Sequence, residues 1–159
     1  MNLYEPTLRV PLFLHVPGVA ARPAETAVTQ NLDLVPTILD AVALPVPSEL
    51  EGRSLLPLLR GQPSAPRAVF ALQSEYRSAS DGRFKLLANV VTGAAVLYDL
   101  AADPGETRDV ATEERAAFHA LRNELGQWLV RVEGSASSKQ QGALAEETQK
   151  LLESLGYLR

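Results

Sequence analysis

The residues Val10-Pro11-Leu12-Phe13-Leu14-His15-Val16-Pro17-Gly18 form an apolar run bounded by prolines and closed by a Pro-Gly turn. A run without polar alternation reads as a strand covered on both faces, the kind found in a sheet flanked by helices. Such a strand needs hydrogen-bonded neighbours, and parallel neighbours are reached only through crossover connections. The nine residues before it supply no strand, so its partners are expected to lie outside this chain, as if cut away.

A helix of about three turns is expected next, in Asn31-Leu32-Asp33-Leu34-Val35-Pro36-Thr37-Ile38-Leu39-Asp40-Ala41-Val42. Asp33 can cap it, Pro36 sits in the first turn where no amide partner is lost, and Leu34, Val35, Ile38, Leu39 and Val42 share an apolar face. Pro45 closes it. Residues 45–67 are proline-rich and read as a connector with one short helical turn around Leu55-Leu56-Pro57-Leu58-Leu59, with a subdomain boundary near 61–67.

From Arg67 the hydrophobic period changes to two, and residues 68–72, 75–78, 83–87 and 95–100 read as strands. Asp81-Gly82 and Thr92-Gly93 separate the last three as turns, so an antiparallel meander is the simplest topology. A helix after Thr112, with Glu113 and Glu114 near its positive end, carries Phe118, Leu121, Leu125, Trp128, Leu129 and Val132 on one stripe that would cover the sheet. The fold class is therefore α+β. Gly134-Ser135-Ala136-Ser137-Ser138-Lys139-Gln140-Gln141-Gly142 has linker composition, and Leu144, Thr148, Leu151, Leu152 and Leu155 then define a terminal helix stopped by Gly156.

The search for chemistry excludes more than it finds. Lys+Arg 15 against Asp+Glu 19 gives a net charge of −4, without the basic excess that a phosphate backbone demands, so nucleic acid is not an expected partner. No apolar run is long enough to span a bilayer and no signal-type leader opens the chain, so as written it is expected to be soluble, untargeted and without a membrane partner. Cysteine is absent, which removes disulfides, thiolate metal sites and a cysteine nucleophile. Phosphate loops, Gly-x-Ser-x-Gly elbows and His-Glu-x-x-His are all missing. The two histidines, His15 and His119, read as packed or surface residues. Asp99-Leu100-Ala101-Ala102-Asp103-Pro104-Gly105-Glu106 spaces its carboxylates like a calcium loop, but Ala101, Pro104 and Val110 stand where an EF-hand needs an oxygen donor, a glycine and a glutamate. A strand exit followed by an Asp-Pro-Gly turn is the better reading. Tyr4, Glu5 and Arg9 could pair across one helical turn or clamp an anion.

The order of segments resembles the C-terminal third of sulfatases. The resemblance rests on Leu3-Tyr4-Glu5-Pro6-Thr7-Leu8-Arg9-Val10-Pro11-Leu12, Asp33-Leu34-Val35-Pro36-Thr37-Ile38-Leu39-Asp40, Gly52-Arg53-Ser54-Leu55-Leu56, Asp81-Gly82-Arg83-Phe84-Lys85-Leu86 and Leu97-Tyr98-Asp99-Leu100-Ala101-Ala102-Asp103-Pro104-Gly105-Glu106-Thr107. Five weak matches in one order cover the chain to about residue 131, and Leu155-Gly156-Tyr157-Leu158 is similar to the tail of some bacterial members.

Sulfatases are alkaline-phosphatase-like hydrolases that cleave sulfate esters with formylglycine and calcium. The resemblance implies that residues 1–60 are a C-terminal remnant of the catalytic α/β domain, its last strand and helix. Residues 67–133 would be the small antiparallel subdomain with its helix, and 134–159 a linker and terminal helix. The Cys/Ser-x-Pro-x-Arg maturation motif and the metal aspartates lie upstream of Leu3 in the family, so no catalytic, cofactor-binding or metal residue carries over. Tyr4, Glu5 and Arg9 would brace the segment leading into the active site. Sulfuric ester hydrolysis is then a property of the parent enzyme and this chain alone is expected to be inactive, with the missing catalytic part or a second copy as its partner. Alternatives are a self-associating, non-catalytic module or a fragment of a related phosphoesterase or phosphonate hydrolase. Members of the family are often periplasmic, secreted or lysosomal.

Overall fold

The computed structural model describes residues 3–23 and 27–139. The chain divides into two compact units, Met1–Arg122 and Asn123–Arg159. The first holds α1 (Glu5–Leu8), a 3-10 turn (Asn31–Asp33), α2 (Leu34–Ala41), α3 (Leu56–Leu59) and strands β1 (Val69–Gln73), β2 (Tyr76–Ser80), β3 (Phe84–Asn89) and β4 (Ala95–Asp99). The last helix, α4 (Arg115–Lys139), begins in the first unit and supplies the described part of the second.

The four strands form one antiparallel sheet in the order β1-β2-β3-β4, the expected meander. Of its three turns, the last two use glycine in the left-handed region, Gly82 at φ 98° and Gly93 at φ 73°, while the first places Ser74 there at φ 50°. Register places Ala79, Leu86 and Leu97 in one cross-strand row on one face, and all three are completely buried. Burying each leucine removes a side chain from water at a gain of about 1.5–3 kcal/mol. On the opposite face Lys85 stands beside Tyr98, one pair along from Leu87 and Val96. There Leu3 joins Leu87 and Tyr98 in a buried cluster edged by Tyr4, Leu8, Ala71, Val96 and Leu100.

Three expectations are corrected. Residues 10–16 make no strand, and Val10, Leu12 and Phe13 are exposed, Phe13 by 91%. A β-strand exists only through its ladder, and no described strand pairs with that segment. The apolar residues of α2 likewise face outward at Val35, Ile38 and Val42, while Pro36 and Thr37 form its buried side. Gly134 to Lys139, expected as linker, continues α4. Extending an existing helix adds a hydrogen bond per residue without a new nucleus, which offsets the poor propensity of glycine and serine. The expected terminal helix over 144–155 lies outside the described residues.

Connector residues 45–67 contain the single short turn that their composition suggested, α3. On α4, Leu121, Leu125 and Trp128 are buried at helical spacing, as the stripe required. Among the described residues no helix is long and apolar enough to cross a membrane. Trp128 is 8% exposed, so its emission should be blue-shifted and weakly quenched by iodide. Trp128→Ala should cost about 3–5 kcal/mol in urea unfolding, and a loss under about 1 kcal/mol would show that this part of the stripe is not core.

Candidate functional site

Lys85 occupies the strand position in phase with Leu87, where the pleat points into the cluster under α1. Its side chain is 1% exposed, so the ammonium must find anions or lose its charge. It finds two. Nζ lies 3.0 Å from Glu5 Oε1 and 2.8 Å from Glu106 Oε1, and the Glu106 carboxylate is as buried as the lysine. The Oε1 contact of Glu106 is an ion pair without aligned hydrogen-bond geometry. Its other oxygen, Oε2, accepts the backbone N–H of Glu5 at 2.6 Å, the first amide of α1 and one with no partner inside so short a helix.

Glu106 reaches this position through a strained turn. Its φ is +54°, a conformation costly for a side-chain-bearing residue. The turn before it holds the strain. Asp99 Oδ1 accepts the N–H groups of Ala101 and Ala102, and Asp103 Oδ2 accepts those of Thr107 at 2.7 Å and Arg108 at 2.8 Å. These bonds hold the Asp103 carboxyl below the usual range, with burial opposing them; Asp99 is lowered mainly by the Arg83 guanidinium. The Asp99 and Asp103 carboxylates therefore bond the segment's own backbone, as a turn requires, while Glu106 reaches out to Lys85 and Glu5.

Tyr4 lies against Tyr98 with ring centroids 6.1 Å apart. Burial, and then the Tyr4 hydroxyl and the nearby Glu106 and Asp109 carboxylates, push the Tyr98 phenol upward, so it stays neutral as a hydrogen-bonding group. Of the three residues singled out at the N-terminus, the structure brings Tyr4 and Glu5 onto the sheet and leaves Arg9 exposed. Glu5 and Arg9 do not pair as expected. Arg9 is the extended C-cap of a four-residue helix, its N–H closing on Glu5 O, and Glu5 turns instead to Lys85.

A second polar centre sits at Asp33, which is fully buried. It makes no cap to α2. Its carboxylate accepts Gln30 N–H at 2.9 Å, Arg53 N–H at 2.8 Å and both terminal nitrogens of Arg67, which also donates to Val28 O. Burial pushes this carboxyl up, and the Arg67 bonds, the two amides and the Arg67 charge together hold it below the ordinary value. Gly52 makes the approach possible, because a Cβ there would lie 1.9 Å from Leu32 O. Thr37 extends the network, donating to Asp33 O and accepting Leu55 N–H.

Residues 1–134 match the family described as N-sulphoglucosamine sulphohydrolase, C-terminal. This chain is a C-terminal sulfatase domain. It is 32% identical over 128 residues to a Delta 4,5-hexuronate-2-O-sulfatase of Bacteroides thetaiotaomicron, covering 72% of this chain and 27% of that protein. It is 32% identical over 143 residues to mouse arylsulfatase K, covering 79% of this chain and 26% of that one. The solved structure of a 2-O GAG sulfatase superposes with a TM-score of 0.60 at 28% identity, over 74% of this chain and 28% of that one. The chain thus spans about a quarter of the length of these relatives.

Calcium and formylglycine, which the resemblance implies for the whole enzyme, find no fitting residues among those described. No cysteine and no Ser-x-Pro-x-Arg sequence occurs in the chain, and among the described residues no three His, Asp or Glu side chains converge. His15 is exposed and His119 stacks edgewise on Phe118 at 5.7 Å. The sulfatase domain's buried ion centres were not read from sequence, although Lys85 in phase with Leu87 was a usable signal.

The Asp33 centre predicts a pH dependence. Its folded carboxyl is lowered, so its stabilisation is present above the ordinary pKa of about 3.9 and is lost as pH falls through the folded value. Asp33→Ala should cost about 3–5 kcal/mol at pH 7 in urea unfolding, with the gap from wild type closing below about pH 4. An unchanged gap down to pH 2.5 would contradict this.

Proposed function

We propose that this domain serves sulfuric ester hydrolysis as the C-terminal part of a sulfatase, contributing no nucleophile or metal ligand of its own. The observation that carries the reading is the family match across residues 1–134. The names of the relatives, a 2-O-sulfatase and an arylsulfatase, favour a sulfate ester as substrate class. The exposed apolar side chains of Val10, Leu12, Phe13, Val35, Ile38 and Val42 support a docking role. Their partner in this reading is the sulfatase catalytic part, which would lie in the roughly three quarters of such a relative that this chain does not cover. Tyr4 and Glu5, held on the sheet, would brace the segment that leads to the active site, and exposed Arg9 would contribute from the docking side.

Two measurements test the proposal. The purified chain should not turn over an aryl sulfate, with or without calcium. A chimera in which residues 1–134 replace the matched portion of the Bacteroides 2-O-sulfatase should regain turnover. Activity of the isolated chain that survives removal of contaminating enzymes, or a folded chimera that leaves the ester intact, would contradict it. Tight self-association of the isolated chain together with an inactive chimera would favour the self-associating module instead.

A further inference from the structure

We infer that Lys85 is an electrostatic latch that makes docking of the N-terminal segment, residues 3–9, conditional on one buried cation. Its anionic partners are Glu5 from the α1 segment and Glu106 from the loop after β4, Tyr98 stands beside it on β4, and Tyr4 and Asp109 lie near Tyr98. Glu106 is anchored on the sheet side by its own turn, and Glu5 belongs to the segment. The lysine is the only cation that these contacts place between the two carboxylates among the described residues.

The geometry works as a conditional clamp because apolar contact alone is small here. Leu3 is the one fully buried apolar residue of the segment, and Tyr4 and Leu8 are half-buried. Without the ammonium, the partly exposed Glu5 carboxylate would sit beside the buried Glu106 carboxylate with no cation between them, and like charges there repel. The segment, whose α1 is one helical turn, is too short to hold itself. The latch also fixes where the exposed apolar stretch 10–16 leaves the sheet. Its use for docking rests on the sulfatase reading, but the latch itself is a property of this chain.

The test is amide hydrogen exchange on the 159-residue chain, expressed as protection factors. In Lys85→Met at pH 7, the amides of Thr7, Leu8 and Arg9 should lose at least tenfold protection, while the amides of β2 and β3 change less than threefold. Lys85→Met combined with Glu106→Gln should restore part of that protection at pH 7. Glu5→Gln, at a partly exposed side chain, should loosen the same three amides by at least twofold and serves if the lysine variant does not fold. Unchanged protection at residues 7–9 in either single variant, or a loss spread evenly over the sheet, would overturn the latch. Neither result bears on the chimera experiment, so the two readings fail separately.

Discussion

One ammonium group, that of Lys85, lies at the point where three separate parts of this domain meet. Burying a charge is tolerable only when opposite charges and hydrogen bonds replace its water. Glu5 and Glu106 supply the charges, and the Glu5 amide supplies a hydrogen bond to the second carboxylate. Because Glu106 sits at a positive φ, this arrangement also depends on Asp99 and Asp103, whose carboxylates hold the turn. The meander, the turn after β4 and the N-terminal segment are thus joined by electrostatics, with Tyr4 and Tyr98 packed alongside.

The region between α1 and the sheet is tied by the same physics at a second place. Residues 28–55 contribute no strand, yet Asp33 draws Gln30, Arg53 and Arg67 to a single carboxylate, and Thr37 draws in Leu55. These bonds turn the polar side of α2 inward and leave Val35, Ile38 and Val42 outside. A domain held by buried polar centres can keep an apolar face free without collapsing on it, a property suited to a part of a larger sulfatase.

The meander and the α4 stripe were legible because both depend on local periodicity: alternation over 68–100 with Gly82 and Gly93 at the turns, and Leu121, Leu125 and Trp128 at helical spacing. The order of short motifs also carried the family correctly. Residues 10–16 misled because their composition describes a strand, and among the described residues none pairs with them. Asp33 misled because its local role as a cap competes with a distant arginine, Arg67, that no spacing rule connects to it. The ion centre of Lys85, Glu5 and Glu106 escaped notice for the same reason: its members lie in three separate segments that only the fold brings together. Glu5 was singled out, but with Arg9 as its partner.

The most direct test of this account is a double-mutant cycle between Glu5 and Lys85, using Glu5→Gln, Lys85→Met and the pair in urea unfolding at pH 7. Residues that share one ion centre should couple, and the account predicts an interaction energy of about 1 kcal/mol or more. Additive single-variant effects, with coupling under about 0.3 kcal/mol, would mean that Lys85 does not hold the N-terminal segment and would contradict the central claim.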